Sequence, residues 1–455
     1  MTATALSEHK YKYTVKNALK YGDFKTRLSC IFMGFGLMTH KQFLKGLIVF
    51  LFEIAFVVFM VKNGCDNLIK LPGLGDQAQG KVWNESKGVF EYSKGDNSLL
   101  ILLYGVITLF VIAAIVLLWV LQLRQSYHCQ VLMENDEHVP TPIEDLITLT
   151  DKKLHVTLMT LPCLGILIFN IVPLVFMISM AFTTYSVEGD HLTLFDWDGL
   201  KQFGRVLNMK GNIGRQFWGV LAWTLIWAIF ATFLNYILGM ILALIINRKD
   251  THWKAFWRFC FVLSIAVPQF VSLLIMRTML QPQGAVNVLL QEWGLISKPL
   301  PFFTNTIWAR VTVIVINLWV GIPYTMLQVT GILQNIPAEL NEAARVDGAG
   351  PATIFFKITL PYMLFITTPY LITSFCGNIN NFNVIFLLSG GGPTELGDTA
   401  GKTDLLVTWL YKLTINQQYY NIGAVIGIFT FVILTVITLV TYRNSSSYKD
   451  EEAFR

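Results

Sequence analysis

Eight apolar runs, each near the length of a bilayer crossing, leave this chain few ways to fold. They cover roughly residues 43–62, 99–121, 155–182, 217–247, 256–281, 308–333, 361–388 and 421–442. A helix needs about 20 apolar residues to cross a hydrocarbon core of ~30 Å, and it satisfies every backbone group within itself. Composition agrees: 54% of the 455 residues are hydrophobic and 14% charged, against about a quarter charged in soluble proteins. The expected fold is therefore all-α, a polytopic membrane protein with about eight transmembrane helices. The apolar run 28–39 is too short to cross and reads as an interfacial helix.

An even number of spans puts both termini on one side. Residues 1–45 hold eight Lys/Arg and residues 248–258 four more, so the positive-inside rule places both termini in the cytoplasm. The net charge of +5 then reflects topology, and no nucleic-acid partner is implied. The basic start lacks a small-residue cleavage site after a short apolar core, so no cleavable signal peptide is expected. The six cysteines are scattered over spans and both sides. They suggest neither a disulfide framework nor a metal site.

Residues 1–150 read as a front section: a basic cytoplasmic tail, two extra spans, an outer loop around GLGDQAQGKVWNESKG, and the polar stretch QSYHCQVLMENDEHVPTPIEDL. Residues 151–445 carry a six-span core, and 446–455 a cytoplasmic tail. Pro162, Pro173, Pro268, Pro323, Pro361 and Pro369 are expected to interrupt the core helices, which is tolerated where helices line a cavity or pack on each other. Gly239 and Ala243 have a spacing suited to close helix packing. Two ionisable groups fall inside spans, Glu53 in the first and Arg277 near the outer end of the fifth. Such groups default to functional hypotheses, although Arg277 can snorkel to the surface. The loop GDTAGKT, 397–403, is not a phosphate loop: it has three residues between Gly397 and Gly401-Lys402 where four are needed, and no strand precedes it.

Two spans carry polar stripes. At 100° per residue, Tyr370, Ser374, Asn378 and Asn381 share one face, and in the preceding span Asn317, Gly321, Tyr324 and Gln328 align. Asn380 and Asn383 point away and are expected to bond to neighbouring helices. Amides offer donors and acceptors to hydroxyls, and a tyrosine ring can stack on the apolar face of a pyranose. The stripes carry no charge, so the candidate ligand is a neutral sugar. The plainer reading is that the amides knit the bundle together.

Between those spans lies the cytoplasmic loop NIPAELNEAARVDGAGPATIFFKITLP, 335–361. Pro337 suits a first helical turn, Glu339 and Glu342 sit at its positive end, and Gly348 with Gly350 ends it. Its Ala343, Ala344 and Gly348 let another protein approach closely. The pattern Glu342-Ala343-Ala344, Gly348, Ile358, Leu360-Pro361 resembles, at all seven positions, the "EAA" signature of binding-protein-dependent ABC importer permeases.

That resemblance implies an ABC importer permease core over residues 151–445. It also implies that Glu342, Ala343, Ala344 and Gly348 dock the loop into a separate cytoplasmic ATPase. Gly390-Gly391-Gly392-Pro393 and TDLL at 403–406 extend it. The chain is most similar to the MalF-type subunits of maltose/maltodextrin importers, which also carry extra N-terminal spans. In those subunits SFxxNxNNF and GxPY supply contacts to the sugar. Carried over, this assigns substrate binding to Gly321, Tyr324, Ser374, Asn378 and Asn381. The outer loop 183–216 departs from the pattern, being short where enterobacterial MalF proteins carry a folded domain.

The implied function is a permease subunit that moves malto-oligosaccharides into the cytoplasm by alternating access in a bacterial plasma membrane. Its implied partners are a second homologous permease, two ATPase subunits and an extracellular solute-binding protein. No cofactor or metal is expected in this chain and no catalytic residue; ATP-Mg belongs to the ATPase partners. The alternatives are an importer of galacto-oligosaccharides or another glycan, an ion-coupled secondary transporter, and a scaffold or receptor without a transport cycle. An ion-coupled carrier should show an acidic relay in the core spans. The only mid-span carboxylate is Glu53, outside the core.

Overall fold

The computed structural model describes residues 13–248 and 250–443. Lys10 and Lys12 of the basic tail, and the tail 446–455, lie outside the described residues. The chain folds as two compact units, Met1–Asp198 and Gly199–Arg455. Among the described residues seven helices are long and apolar enough to cross a bilayer, and a bent pair of helices would make an eighth if it is one span.

The first unit begins with three short helices, α1 (Val15–Tyr21), α2 (Phe24–Leu28) and α3 (Phe35–Thr39). The run 28–39 is thus not one interfacial helix. Gly34, at φ +81°, turns the chain between α2 and α3, and the turn leaves backbone N–H groups without helical partners. Side chains from the two following spans, α4 (Phe43–Lys70) and α5 (Ser98–Glu134), satisfy them. Glu53 Oε2 on α4 accepts from Met33 N at 2.8 Å. Gln122 Oε1 on α5 accepts from Gly34 N, while its Nε2 donates to Ser29 O at 2.9 Å. Glu53 therefore has a local structural partner.

Between α4 and α5 the connecting loop forms an antiparallel hairpin, β1 (Gly80–Asn84) and β2 (Val89–Ser93), with Trp83 opposite Phe90. Its base is clamped by Asp96, whose Oδ2 accepts from Asp76 N and Gln77 N. The unit ends with α6 (Pro142–Thr150), opened by a Thr141/Glu144 capping box, and the apolar span α7 (Leu154–Met180).

The second unit comprises α8 (Lys201–Leu207), the span α9 (Asn212–Asn247), α10 (Lys254–Ala266), α11 (Gln269–Met279), α12 (Ala285–Glu292) and the span α13 (Thr306–Gln334). It continues with α14 (Ala338–Val346), α15 (Leu360–Ile379), α16 (Phe382–Leu388), α17 (Leu406–Tyr411) and the span α18 (Tyr420–Arg443). Helices α9 and α13 pack most intimately. A Cβ on Gly239 would lie 2.6 Å from Thr325 Cβ, so only glycine permits this approach. Tyr236, Met240, Met326 and Met363 fill the neighbouring core.

The prolines behave differently from the expectation. Pro162, Pro323 and Pro369 lie inside helices that continue through them. Pro173 and Pro361 each stand one residue after a wide π-helical turn, Leu167–Ile171 and Phe355–Thr359. Only Pro268 breaks a span. The fifth span, expected as one run over 256–281, is α10 plus α11 bent by 86°. Val267 is extended (ψ 128°), as a residue before proline prefers, and Pro268 has ψ 129°.

Candidate functional site

The break at Pro268 opens into a cavity of about 640 Å³ inside the second unit. Its walls come from α9, α10, α11, α13, α15 and Asn381. Non-helical backbone at membrane depth is tolerated only where protein or a water-filled cavity meets it, and Val267, Pro268 and Gln269 all line this space. None of the lining side chains is an acid or a base that carries charge near neutral pH. The volume falls within the roughly 300–1,000 Å³ of small-ligand sites.

All five residues singled out as sugar contacts, Gly321, Tyr324, Ser374, Asn378 and Asn381, lie on this one cavity, with Asn317 and Tyr370. Of the stripe Tyr370, Ser374, Asn378 and Asn381, expected on one helix, Asn381 falls outside it. Helix α15 stops at Ile379, and Asn381 is the N-cap of α16, its Oδ1 accepting from Val384 N at 3.2 Å. Gln328, placed in the α13 stripe by spacing, is off the cavity wall, and its Oε1 is buried without a partner among the described residues. Asn380 and Asn383 are exposed and bond through their side chains to no described residue, contrary to the expected bonds to neighbouring helices.

The amides divide into two kinds. Asn378 Nδ2 donates to Thr232 Oγ1 at 3.0 Å on α9, and Trp227 Nε1 donates to the Asn378 carbonyl at 3.0 Å. These bonds knit α9 to α15. In contrast, Gln269, Ser272, Asn317, Tyr324, Tyr370 and Ser374 line the cavity without a side-chain hydrogen bond to any described residue. Polar groups in a cavity without protein partners need water or a ligand to satisfy them.

Helix α9 contributes through a wide π-helical turn at Phe230–Leu234, which brings Thr232 to the wall. Such turns recur at functional sites. Asn235 Nδ2 returns to Ala231 O at 2.7 Å, leaving Asn235 Oδ1 buried without a partner among the described residues. Gly321 faces this amide so closely that a Cβ there would lie 2.5 Å from Asn235 Cγ. Sequence spacing missed Thr232, Asn235, Gln269 and Ser272; the Pro268 break was the one available signal for the last two.

The loop 335–361 forms α14, which ends at Gly348 in the left-handed region, φ +81°. Pro337 is its N-cap residue, one position before the first helical turn. Glu342, Ala343 and Gly348 are exposed and Ala344 half-buried. Val346, 88% exposed, adds an apolar group to this surface.

The GDTAGKT segment is a structural clamp. Gln216 Oε1 accepts from Thr399 N, Thr399 Oγ1 and Ala400 N, all within 2.9 Å. Behind it Asp404 is fully buried, accepting from Gly401 N, Thr408 Oγ1 and Lys412 Nζ, the last at 2.6 Å.

Comparison with known proteins gives a consistent match. The family of binding-protein-dependent transport system inner membrane components matches residues 235–447. The galactooligosaccharides transport system permease protein GanP of Bacillus subtilis is 36% identical over 440 residues, covering 93% of this chain and 98% of GanP. The maltodextrin transport system permease protein MdxF of the same organism is 31% identical over 445 residues, covering 94% and 97%. In fold, the chain is similar to one from a bacterial alginate ABC transporter solved in complex with an alginate pentasaccharide-bound periplasmic protein. That match has a TM-score of 0.54 and 22% identity, over 66% of this chain and 97% of the other.

Proposed function

Since the chain belongs to the permease subunits of binding-protein-dependent ABC sugar importers, we propose that it carries malto-oligosaccharides through the α9–α15 cavity. One observation carries this reading: a cavity of about 640 Å³ lined by amides, hydroxyls and two tyrosines with no charged side chain. A charged cargo would leave an unpaired charge there, which is costly. Tyr324, Ser374, Asn378 and Asn381 are the proposed sugar contacts, with Gly321 giving the approach.

In this reading both termini are cytoplasmic, and α14 docks through Glu342, Ala343, Ala344 and Gly348 on one of two ATPase subunits. A second permease completes the pathway, and an extracellular solute-binding protein delivers the sugar. ATP-Mg binds only the ATPases. ATP binding draws the coupling helices together and turns the cavity outward; hydrolysis resets it. The sugar must then bind the two states with different affinity for the cycle to be driven. The identity to GanP favours a second reading, a galacto-oligosaccharide cargo.

Tyr324 tests the site most cleanly, because its exposed ring bonds to no described residue. Labelled maltotriose uptake should fall at least about tenfold in Tyr324→Ala, one stacking contact, and persist in Tyr324→Phe. Normal uptake in Tyr324→Ala would refute the site. Uptake of labelled galacto-oligosaccharide, with no maltotriose uptake in the wild type, would select the second cargo.

A further inference from the structure

A second cavity, of about 470 Å³, lies in the first unit, where α4 begins and α5 ends. Lys45 near the start of α4, Arg124 and His128 in the last part of α5, and Lys153 just before α7 all line it. Helix α5 has 37 residues, about 55 Å at 1.5 Å each, so its last turns pass beyond a ~30 Å hydrocarbon core. The cavity sits where three spans leave the apolar layer.

Its charge is unbalanced. Asp145, the one acid in the wall, is already engaged by Lys45 Nζ at 2.7 Å and Gln42 Nε2 at 2.9 Å. Arg124 uses only Nε, donating to Tyr13 O at 2.8 Å. Lys153 forms no side-chain bond to a described residue. Four guanidinium N–H groups and one ammonium on the cavity wall are therefore without a partner among the described residues.

Helix α6 supplies an independent observation. Asp145, Thr148 and Leu149 line the cavity, while Ile143, Leu146 and Ile147 are exposed at 57% or more. At 100° per residue these sets occupy opposite faces. A short helix with one apolar exposed face and one polar face lies in the plane of the membrane interface. The cavity thus has a basic wall beside an interfacial helix, with Leu121 and Leu149 as its apolar members.

We propose that this cavity binds the phosphate of an anionic phospholipid of the phosphatidylglycerol type. Basic pockets between membrane helices bind such headgroups, at about 1 kcal/mol per basic residue. The assignment stands independently of the cargo reading.

The test uses the purified full chain in nanodiscs of equal phosphatidylglycerol and phosphatidylcholine, with retained lipid counted by native mass spectrometry. The wild type should retain phosphatidylglycerol preferentially. Arg124→Gln with Lys153→Gln should lower that preference roughly thirtyfold, whereas Lys152→Gln, off the cavity, and the charge-conserving Arg124→Lys should keep it. An undiminished preference in the double variant would overturn the site. Loss of the wild-type preference on adding millimolar inorganic phosphate would show that a free anion, not a lipid, is the ligand.

Discussion

Gly321→Ala puts the cavity wall to a quantitative test. In a helix interior Ala is favoured over Gly by about 1 kcal/mol, so on α13 alone the change should stabilise. The new Cβ, however, would lie 2.5 Å from Asn235 Cγ and 2.6 Å from its Oδ1. Overpacking of this kind costs about 1–3 kcal/mol. Turning the Asn235 amide aside also breaks its bond to Ala231 O, worth about 0.6 kcal/mol in a membrane bundle. The balance is a loss of roughly 1–2 kcal/mol. The displaced amide must move towards the cavity, so uptake should lose affinity more than maximal rate. In an Asn235→Ala background the obstacle is gone, and Gly321→Ala should stabilise by up to about 1 kcal/mol. The expected coupling is therefore roughly 2–3 kcal/mol, within the range for residues in contact. The assay is a double-mutant cycle on thermal or denaturant unfolding of the purified chain in nanodiscs, with uptake kinetics for each variant. Additive effects would refute the close approach of Gly321 to Asn235, and with it this account of why glycine stands there.

Other positions give simpler expectations. At Gly348, φ is +81° and a Cβ meets nothing within 4 Å, so Gly348→Val should cost about 1–2 kcal/mol or more of local backbone strain. Gly348→Asn should be milder, and retention of the ATPase on membranes reads both. Asp404→Asn strips the buried partner from Lys412 and should destabilise the chain by about 3–5 kcal/mol in a melt; an unchanged melt would mean the pair is solvated. At Asp96 burial opposes ionisation, but the N–H groups of Gln77 and Asp76 and the Lys70 ammonium outweigh it and hold the carboxyl below its usual value. The clamp's contribution is thus complete above the ordinary carboxylate range and lost as pH falls through the lowered value. Proteolysis of the β1–β2 hairpin should accelerate only in that acid window, and in Asp96→Asn the acceleration should be present already at neutral pH.

The spans were legible because lipid imposes one composition on every residue that meets it, and twenty consecutive residues average out local exceptions. Breaks were not, because proline alone does not decide them. Pro323 and Pro369 continue within helices, and a preceding wide turn absorbs the missing N–H of Pro361. At Pro268 the chain turns where its freed backbone meets a cavity, a three-dimensional circumstance no local pattern encodes. The hairpin β1–β2 was missed for a related reason. Its alternation is five residues a side, too short to stand out from a loop.

The candidate site shows the same division. Tyr324, Ser374 and Asn378 were found because regular helices carry their residues at 100° intervals. Asn381 reaches the cavity although its helix has ended, because the break at Asn380 turns it into a cap whose side chain still borders the space. The sequence posed a choice between amides as bundle glue and amides as ligands for a sugar, and the side chains on the wall differ in whether a described residue already bonds them. Asn378 is held by Thr232 on α9, whereas Tyr324, Tyr370 and Gln269 present groups that nothing in the described chain satisfies. A transport path needs both: fixed amides to keep the wall in register, and free ones whose hydrogen bonds a passing sugar can take up and give back.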